Sequence, residues 1–471
     1  MTRAREIGIV AAIAVTTRLP SLFLPLFNRD ESTVATIAHA MSAGDRLYTG
    51  TVDRKPPVVF WLTQATFAVT GSHDLRWLRA VALVFVTATA LVLAREIHHR
   101  HPEVPVVLGA GVFLLAIAAF PPEDAQAAGF ELIMLLPFTL AFVDAAAGRP
   151  LRAGLWLGLA GLCKQTGVLA APAVAFALWR RHGWRAVIVA GGVTLVVLAA
   201  PMLLYDPHEY IRWVLTSNDA YVSLDGLGSV AGRALAMGAL LGVSQLGLIA
   251  GAIVASRRGS VAADAWLWLA GAMLGALLGL RFFGHYFLPV IPALVLIASP
   301  ALAAGWRHRR AALGAVAASA AVWVGLAFVP DRVNPTQPYE RPAARIAALT
   351  TPGERIFVWG QVSQLYWASN RLPASRFPHI GFITGITGGR SDEVPYAHPV
   401  AGALGDLLAD FQRHPPVLVA DAASLLDRGD RYPLATSPIS GFVRDGYCLV
   451  DTVDGVDLWL QRTVADRAGG C

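Results

Sequence analysis

Ile7 to Phe27, IGIVAAIAVTTRLPSLFLPLF, is long and apolar enough to cross a hydrocarbon core, and it ends directly against Asn28-Arg29-Asp30-Glu31. About two dozen residues later, Asp53-Arg54-Lys55-Pro56-Pro57 precedes another apolar stretch. An acidic pair and a cation in one membrane-boundary loop suit a site that handles an anionic, lipid-bound substrate. Lysine usage sharpens this reading. Of 38 basic residues only two are lysines: Lys55, and Lys164 in Leu162-Cys163-Lys164-Gln165-Thr166-Gly167. A chain so averse to lysine uses these two for a compact ammonium rather than for bulk charge.

Working outward, 55% hydrophobic and 15% charged residues over 471 positions, with a mean hydropathy of +0.53, are too apolar for a soluble enzyme. The net charge of +6 is not a nucleic-acid signature, because the arginines cluster in short loops between apolar runs. Three cysteines make no disulfide framework, although Cys448 and Cys471 could pair in an extracytoplasmic C-terminal domain. The N-terminus has a basic start but no convincing small-residue cleavage site, and Arg18 interrupts the run, so an uncleaved first span is expected.

Eleven spans are expected, at about 7–27, 78–94, 106–120, 131–147, 153–163, 167–179, 186–204, 231–255, 263–280, 286–304 and 311–329. Alternate loops carry the arginines: Arg3/Arg5, Arg95/Arg100, Arg149/Arg152, Arg180/Arg181/Arg185, Arg257/Arg258 and Arg307/Arg309/Arg310. That side should be the cytoplasm. The opposite side receives the first loop (28–77), Pro121 to Phe130, Lys164-Gln165, Tyr205 to Ser229, Arg281 to His285 and everything after Pro330.

Within the first loop, Val34, Ile37, Ala38 and Met41 recur at helical spacing and Gly44 supplies a stop, which predicts an amphipathic helix lying on the membrane face. Pro56 to Val69 predicts a second juxtamembrane or re-entrant helix. Beyond residue 330 the character changes. Asp331 to Glu340 is a polar linker, and short strand-like runs such as Ile356–Trp359 and Val417–Ala420 follow. Asp454-Gly455 between Tyr447–Val453 and Val456–Gln461 is a two-residue hairpin signal. The expected architecture is thus an α-helical polytopic membrane domain (1–330) followed by a small extracytoplasmic α/β domain (331–471).

This arrangement resembles the GT-C membrane glycosyltransferases, specifically the branch of protein O-mannosyltransferases and the lipid A aminoarabinose transferase. Four patches carry the likeness in order along the chain. They are Asp30-Glu31, then Lys55-Pro56-Pro57 with Trp61 and Gly71, then Gly158 to Gly167 around Lys164-Gln165, and Arg281-Phe282-Phe283-Gly284-His285-Tyr286-Phe287-Leu288-Pro289. Trp359-Gly360, Leu365-Tyr366 and Arg371-Leu372-Pro373-Ala374-Ser375-Arg376-Phe377 resemble the tail of bacterial relatives. The resemblance implies an inverting transferase whose donor is a polyprenyl-phosphate-linked sugar, hexose or pentose. It also implies a glycan, glycolipid or protein acceptor and a bacterial cytoplasmic membrane with the site on the extracytoplasmic side.

Inverting transfer needs a base for the acceptor hydroxyl and a partner for the departing phosphate. The resemblance assigns the base to Asp30, with Glu31 orienting it or the acceptor; capping of the next helix is the bland alternative for both. Lys55 suits the donor phosphate as a point charge, shared with Arg54, against a snorkelling lysine. Arg281, His285 and Tyr286 would bind phosphate or sugar, or else anchor the interface. Lys164, Gln165 and Glu131 would line the substrate cavity; a helix break and a cap are the alternatives. Arg18 should pair with an acid or reach the membrane surface, and Tyr210, Trp213 and Tyr221 could stack on sugars or form an interfacial belt. No cofactor is certain. A divalent metal is compatible with the family, but Arg54 stands where some relatives carry an acid, which puts the aminoarabinose branch's metal site in doubt.

A flippase or transporter of lipid-linked sugars is the competing function. Transporters commonly show repeated halves and broken mid-membrane helices. Here the polar motifs gather at one face and no internal repeat stands out. The preference for Arg, Ala and Gly over Lys suggests a GC-rich bacterial genome, so mannose and arabinose donors come first.

Overall fold

The computed structural model describes residues 2–217, 226–303, 306–329, 338–385, 396, 398–425 and 432–465. Asp331 to Gln337 of the expected linker, Tyr221 and Asp225 of the polar loop, and Cys471 lie outside these residues. Helices α1 (Arg3–Thr17), α2 (Arg29–Ser42), α3 (Val58–Thr70), α4 (Leu75–Arg100), α5 (Val106–Ala118), α6 (Pro122–Ala125), α7 (Phe130–Ala146) and α8 (Pro150–Cys163) come first. They are followed by α9 (Ala171–Ala199), α10 (Pro207–Val214), α11 (Leu227–Ser244), α12 (Leu246–Arg257), α13 (Ala263–Leu277), α14 (Val290–Ala303) and α15 (Arg309–Leu326).

Most expected spans fall on helix, but the first, 7–27, is corrected: α1 stops at Thr17, and only a short 3-10 turn at Leu19–Leu22 follows before Asn28. Leu75–Arg100, Gln165–Leu203 and Leu227–Ser244 are long and apolar enough to cross a bilayer by themselves, and shorter apolar helices accompany them. The expected spans 167–179 and 186–204 remain two helices: α9 breaks at Gly183, whose positive φ of 72° turns the chain between them.

Polar contacts sort the helix ends into two levels. At one, Arg100 bridges Asp264 at 3.0 Å, and buried Asp144 accepts from Arg149 and Arg152. At the other lie the start of α4 and α7 and the end of α8. Arg100 also stands 5.1 Å from the centre of the Phe142 ring near the end of α7, so the arginine-bearing loops after α4 and α7 share a level. Packing is tightest where glycine permits it: a Cβ on Gly154 of α8 would stand 2.3 Å from the Ala190 carbonyl of α9.

The expected span 231–255 is corrected. The chain breaks at Gln245, whose side-chain amide donates to the Ala116 carbonyl at the end of α5 (3.0 Å). Arg233 of α11 meets the Leu280 carbonyl just past α13 (3.4 Å). The expected span is therefore two helices, α11 and α12, that meet at Gln245 on the level of the end of α5.

The C-terminal part is α/β. Helix α16 (Glu340–Leu349) leads into β1 (Arg355–Trp359), α17 (Gln364–Ser369), β2 (Leu372–Pro373), α18 (Gly381–Thr384), α19 (Ala403–Arg413) and β3 (Leu418–Asp421). Helix α20 (Ser440–Gly446), β4 (Tyr447–Val453) and β5 (Val456–Gln461) close it. The sheet order is β2-β1-β3-β5-β4, parallel across β2, β1 and β3 and antiparallel beyond. Asp454 and Gly455 both take positive φ, the conformation that the hairpin signal demands. Cys448 is disulfide-bonded, while Cys163 is free and buried.

Helix α2 forms where expected, but it does not lie open on a membrane face. Residues Glu31 to Ala38 are buried, and α17 packs over them: Thr33 shares a 2.6 Å hydrogen bond with the Ser363 hydroxyl, and Thr36 donates to the Ser363 carbonyl at 3.3 Å. With Ser32, whose hydroxyl stands 3.2 Å from that of Ser363, Thr33 and Thr36 make a stripe of three hydroxyl-bearing residues that marks a helix–domain contact. Asp45 and Arg355 close the same junction with two hydrogen bonds of 2.9 and 3.0 Å.

Candidate active site

Helix α2 begins at an Asn28 cap whose Oδ1 accepts from the Asp30 N–H at 2.7 Å. The capping alternative for the acid pair is therefore taken by Asn28. Asp30 is exposed, and among the described residues its carboxylate accepts no hydrogen bond. Glu31 is the reverse. Arg79 donates to both its oxygens at 2.8 and 2.7 Å, and the N–H groups of Ala128 (2.7 Å) and Phe27 (3.3 Å) complete the set. Glu31 pins α2 to α4 and to the approach of α7, so of the acidic pair only Asp30 is open to a substrate.

Arg18 follows neither expectation. It donates to the backbone carbonyls of Ala125 and Gln126, bracing the segment after α6 from inside the bundle.

Asp30 and Glu31 share a cleft with Asn28, Glu123, Asp124, Glu131 and His285. Lys164, carried past the end of α8, pairs with Glu131 and lies 3.7 Å from the centre of the Tyr286 ring. Its ammonium also feels the charges of Lys55 and Asp30. His285 accepts a place on Asp124: its backbone N–H and its Nδ1 stand 2.8 and 2.7 Å from Asp124 Oδ1. Burial opposes the imidazolium, but Glu131, Asp124 and Asp30 together raise its pKa. Gly284 makes the approach feasible, since a Cβ there would fall 2.1 Å from Asp124 Oδ2. Asp30, Lys55, Lys164, Glu131, His285 and Tyr286 thus occupy one neighbourhood, although they come from five separate stretches of chain.

The 53–55 segment is gripped from three directions. Lys55 donates its N–H to Asp53 Oδ1 (3.0 Å), and its carbonyl accepts from the Tyr48 hydroxyl (2.9 Å). The Lys55 ammonium stands 3.7 Å from Asp53 and 5.1 Å from the Phe130 ring centre, at the rim of the cleft. Gln165 donates to the Arg54 carbonyl at 2.6 Å and to the Val214 carbonyl at 2.9 Å, which makes it a brace for the loop. The Arg54 guanidinium lies over Phe382 of α18 at 4.7 Å, away from the cleft lining. Arg281 is buried between Leu280 and Phe282, both left-handed (φ 52° and 56°), and it too is outside that lining.

Tyr210 and Trp213 are neither sugar platforms nor an interfacial belt. Both are buried, and Trp213 packs edge-on against Phe377 and Phe382 of the C-terminal part. Sequence reasoning passes over Asp124, Glu123 and Arg79. The available signal for the first two is their place in Pro121-Pro122-Glu123-Asp124, between apolar runs on the lysine-bearing side. Arg79 sits inside an apolar run with no local sign of its partner. Among the described residues no three His, Cys, Asp or Glu side chains stand close enough to hold a metal ion.

The model of glycosyltransferase family 87 matches residues 56–282. No curated protein matches the chain. Among solved structures, ArnT from Cupriavidus metallidurans bound to undecaprenyl phosphate superposes with a TM-score of 0.66 at 16% identity, covering 98% of each chain. Its apo state gives 0.67 at 15% identity, over 96% of this chain and 97% of that one. The archaeal oligosaccharyltransferase AglB from Archaeoglobus fulgidus, in complex with an inhibitory peptide and a dolichol-phosphate, gives 0.52 at 13% identity, over 90% of this chain and 69% of that one. At these identities the likeness is one of fold: the chain has the GT-C fold.

Proposed function

We propose that this GT-C membrane glycosyltransferase moves a sugar from a polyprenyl phosphate to an acceptor hydroxyl, with inversion at the anomeric carbon. The single observation that carries the reading is the open Asp30 carboxylate lining one cleft with Glu131 and His285, where Glu131 holds Lys164. The two lysines of a chain that otherwise uses arginine both reach the lining of that cleft, Lys55 at Phe130 and Lys164 at Glu131.

In this reading Asp30 takes the proton of the acceptor hydroxyl as its oxygen attacks the anomeric carbon. The bond from that carbon to the phosphate oxygen breaks on the opposite face. The lipid phosphate changes from a diester to a monoester and gains negative charge, which is where fixed cations lower the barrier most. Lys55 at the rim is the first partner for that charge. Lys164, held by Glu131, is a preset cation behind it, and His285, oriented by Asp124, stands beside it.

The lipid phosphate on the ArnT neighbour supports a polyprenyl donor, and the alternating arginines support a multi-pass protein with its site on the extracytoplasmic face. The acceptor is a wall polysaccharide, a glycolipid or a protein, and mannosyl and arabinosyl donors are the first to test.

The experiment is transfer from radiolabelled polyprenyl-phosphate sugar by the reconstituted protein. Asp30→Asn and Lys55→Ala should abolish transfer with protein level intact, and release of free lipid phosphate should track transfer. Full transfer by the Asp30→Asn protein would remove Asp30 as the base. Movement of intact donor across the vesicle without phosphate release would replace transfer by transport.

A further inference from the structure

Most carboxylates of the cleft are already committed. Glu31 is saturated by Arg79 and two backbone N–H groups, Glu131 pairs with Lys164, and Asp124 holds His285. Among the described residues two carboxylates of the cleft accept no hydrogen bond from another residue. One is Asp30, and the other is Glu123, whose Oε2 is buried and, among the described residues, accepts no hydrogen bond. A buried carboxylate oxygen without a donor is costly unless the group binds a proton or a transient partner.

Asn28 ties the two together. Its Oδ1 caps the Asp30 N–H at 2.7 Å while its Nδ2 donates to the Glu123 carbonyl at 3.1 Å. One side chain therefore fixes the start of α2 against α6, and both carboxylates line the same cleft.

We propose that Glu123 is a second proton-handling carboxylate of this site, receiving from Asp30 the proton removed from the acceptor hydroxyl and releasing it to solvent. The step rests on Asp30 being the base. The acceptor O–H breaks as the new glycosidic bond forms, the electron pair of the breaking sugar–phosphate bond stays on the phosphate, and the proton passes from Asp30 to Glu123. Nothing is oxidised or reduced.

The surroundings of Glu123 fit the task. Burial, and then the neighbouring Asp124 charge, push its carboxyl up to about 7, against the opposing pull of its own N–H and of His285. The other charged groups of the cleft are Asp30 and Glu31 from α2 and Glu131 from α7. Helix α15, which also packs on α6, has its Arg309 and Arg310 at the opposite end. A carboxylate poised near neutrality both accepts and gives up a proton readily at working pH. The sign follows: Glu123 accepts only when ionised, so turnover should fall as pH drops below about 7.

The test is the pH dependence of kcat for transfer from radiolabelled donor in proteoliposomes, for the native protein, Glu123→Gln and Glu123→Asp. The native profile should lose rate on the acid side with a midpoint near 7. Glu123→Gln should turn over about 10- to 100-fold more slowly, with that acid limb abolished and donor KM unchanged. Glu123→Asp should recover part of the rate, with the limb displaced to lower pH. An acid limb that persists in Glu123→Gln, or a defect confined to donor KM, would overturn the proposal. So would transfer that is lost on chelation in the native protein and insensitive to it in Glu123→Gln, since Glu123 would then be a metal ligand. Undiminished transfer by Asp30→Asn would instead fault the underlying reading, and the two failures are distinguishable.

Discussion

Adjacent acids can serve opposite ends when one is bonded and the other is not. The Asp30-Glu31 pair is legible in the sequence, as is its place at a membrane boundary, but the division of labour is not. It depends on Arg79, which stands on the next crossing helix and reaches Glu31 with a two-pronged contact at 2.7 and 2.8 Å. Sequence spacing carries no trace of that meeting. Removing the guanidinium would strand a buried charge, so Arg79→Leu should lower stability by about 3–5 kcal/mol, read as a fall in melting temperature in detergent and in membrane yield. Adding Glu31→Gln to Arg79→Leu should restore a good part of the loss. If the double variant melts no higher than the single one, the contact is not what holds α2. Lys164 shows the same limit: its lysine identity advertises it, whereas Glu131, its partner from the start of α7, becomes visible only once α7 and α8 stand side by side.

For the elements, apolar length and arginine alternation locate the crossing helices, because hydrocarbon thickness and charge sorting act on composition alone. Breaks and close approaches are less readable. Gln245 looks like one polar residue in an apolar run, yet it separates α11 from α12 by reaching the end of α5. The glycines of α8 read as ordinary small residues until α9 is laid against them. Gly154→Val would drive a side chain into the Ala190 carbonyl, which a Cβ would already approach to 2.3 Å. The expected result is a loss of about 1–3 kcal/mol and a broadened size-exclusion profile. An unchanged melting temperature would mean that α8 and α9 can separate freely. Helix α2 is legible as a helix and not as a buried one, since its roof is supplied by Ser363, far along the chain.

Taken whole, the molecule joins its apolar bundle to the C-terminal sheet through the very loop that carries the 53–55 motif. The Val52 N–H donates to the Arg376 carbonyl at 3.0 Å, Arg212 bridges Asp406 at 2.8 Å, and Arg54 rests on Phe382. The sheet's hairpin and strands are readable from alternation and turn chemistry; its docking against the first loop is not, because long-range pairing leaves no periodic signal. Phe382→Ala removes a cation–π contact of about 0.5–2 kcal/mol from the Arg54 guanidinium. If that contact positions the donor-binding loop, donor KM should rise by about 2- to 30-fold with acceptor KM unaltered. Equal changes in both constants would reduce Phe382 to general packing.

The near-absence of lysine has a practical corollary. Lys55 has 24% of its side chain accessible and Lys164 9%, and the chain has no other ε-amino group. An amine-selective acylating reagent would find almost the whole surface inert. Its side-chain adducts could form only within the pocket, so a general chemical modifier becomes, on this scaffold, an affinity label without any affinity group.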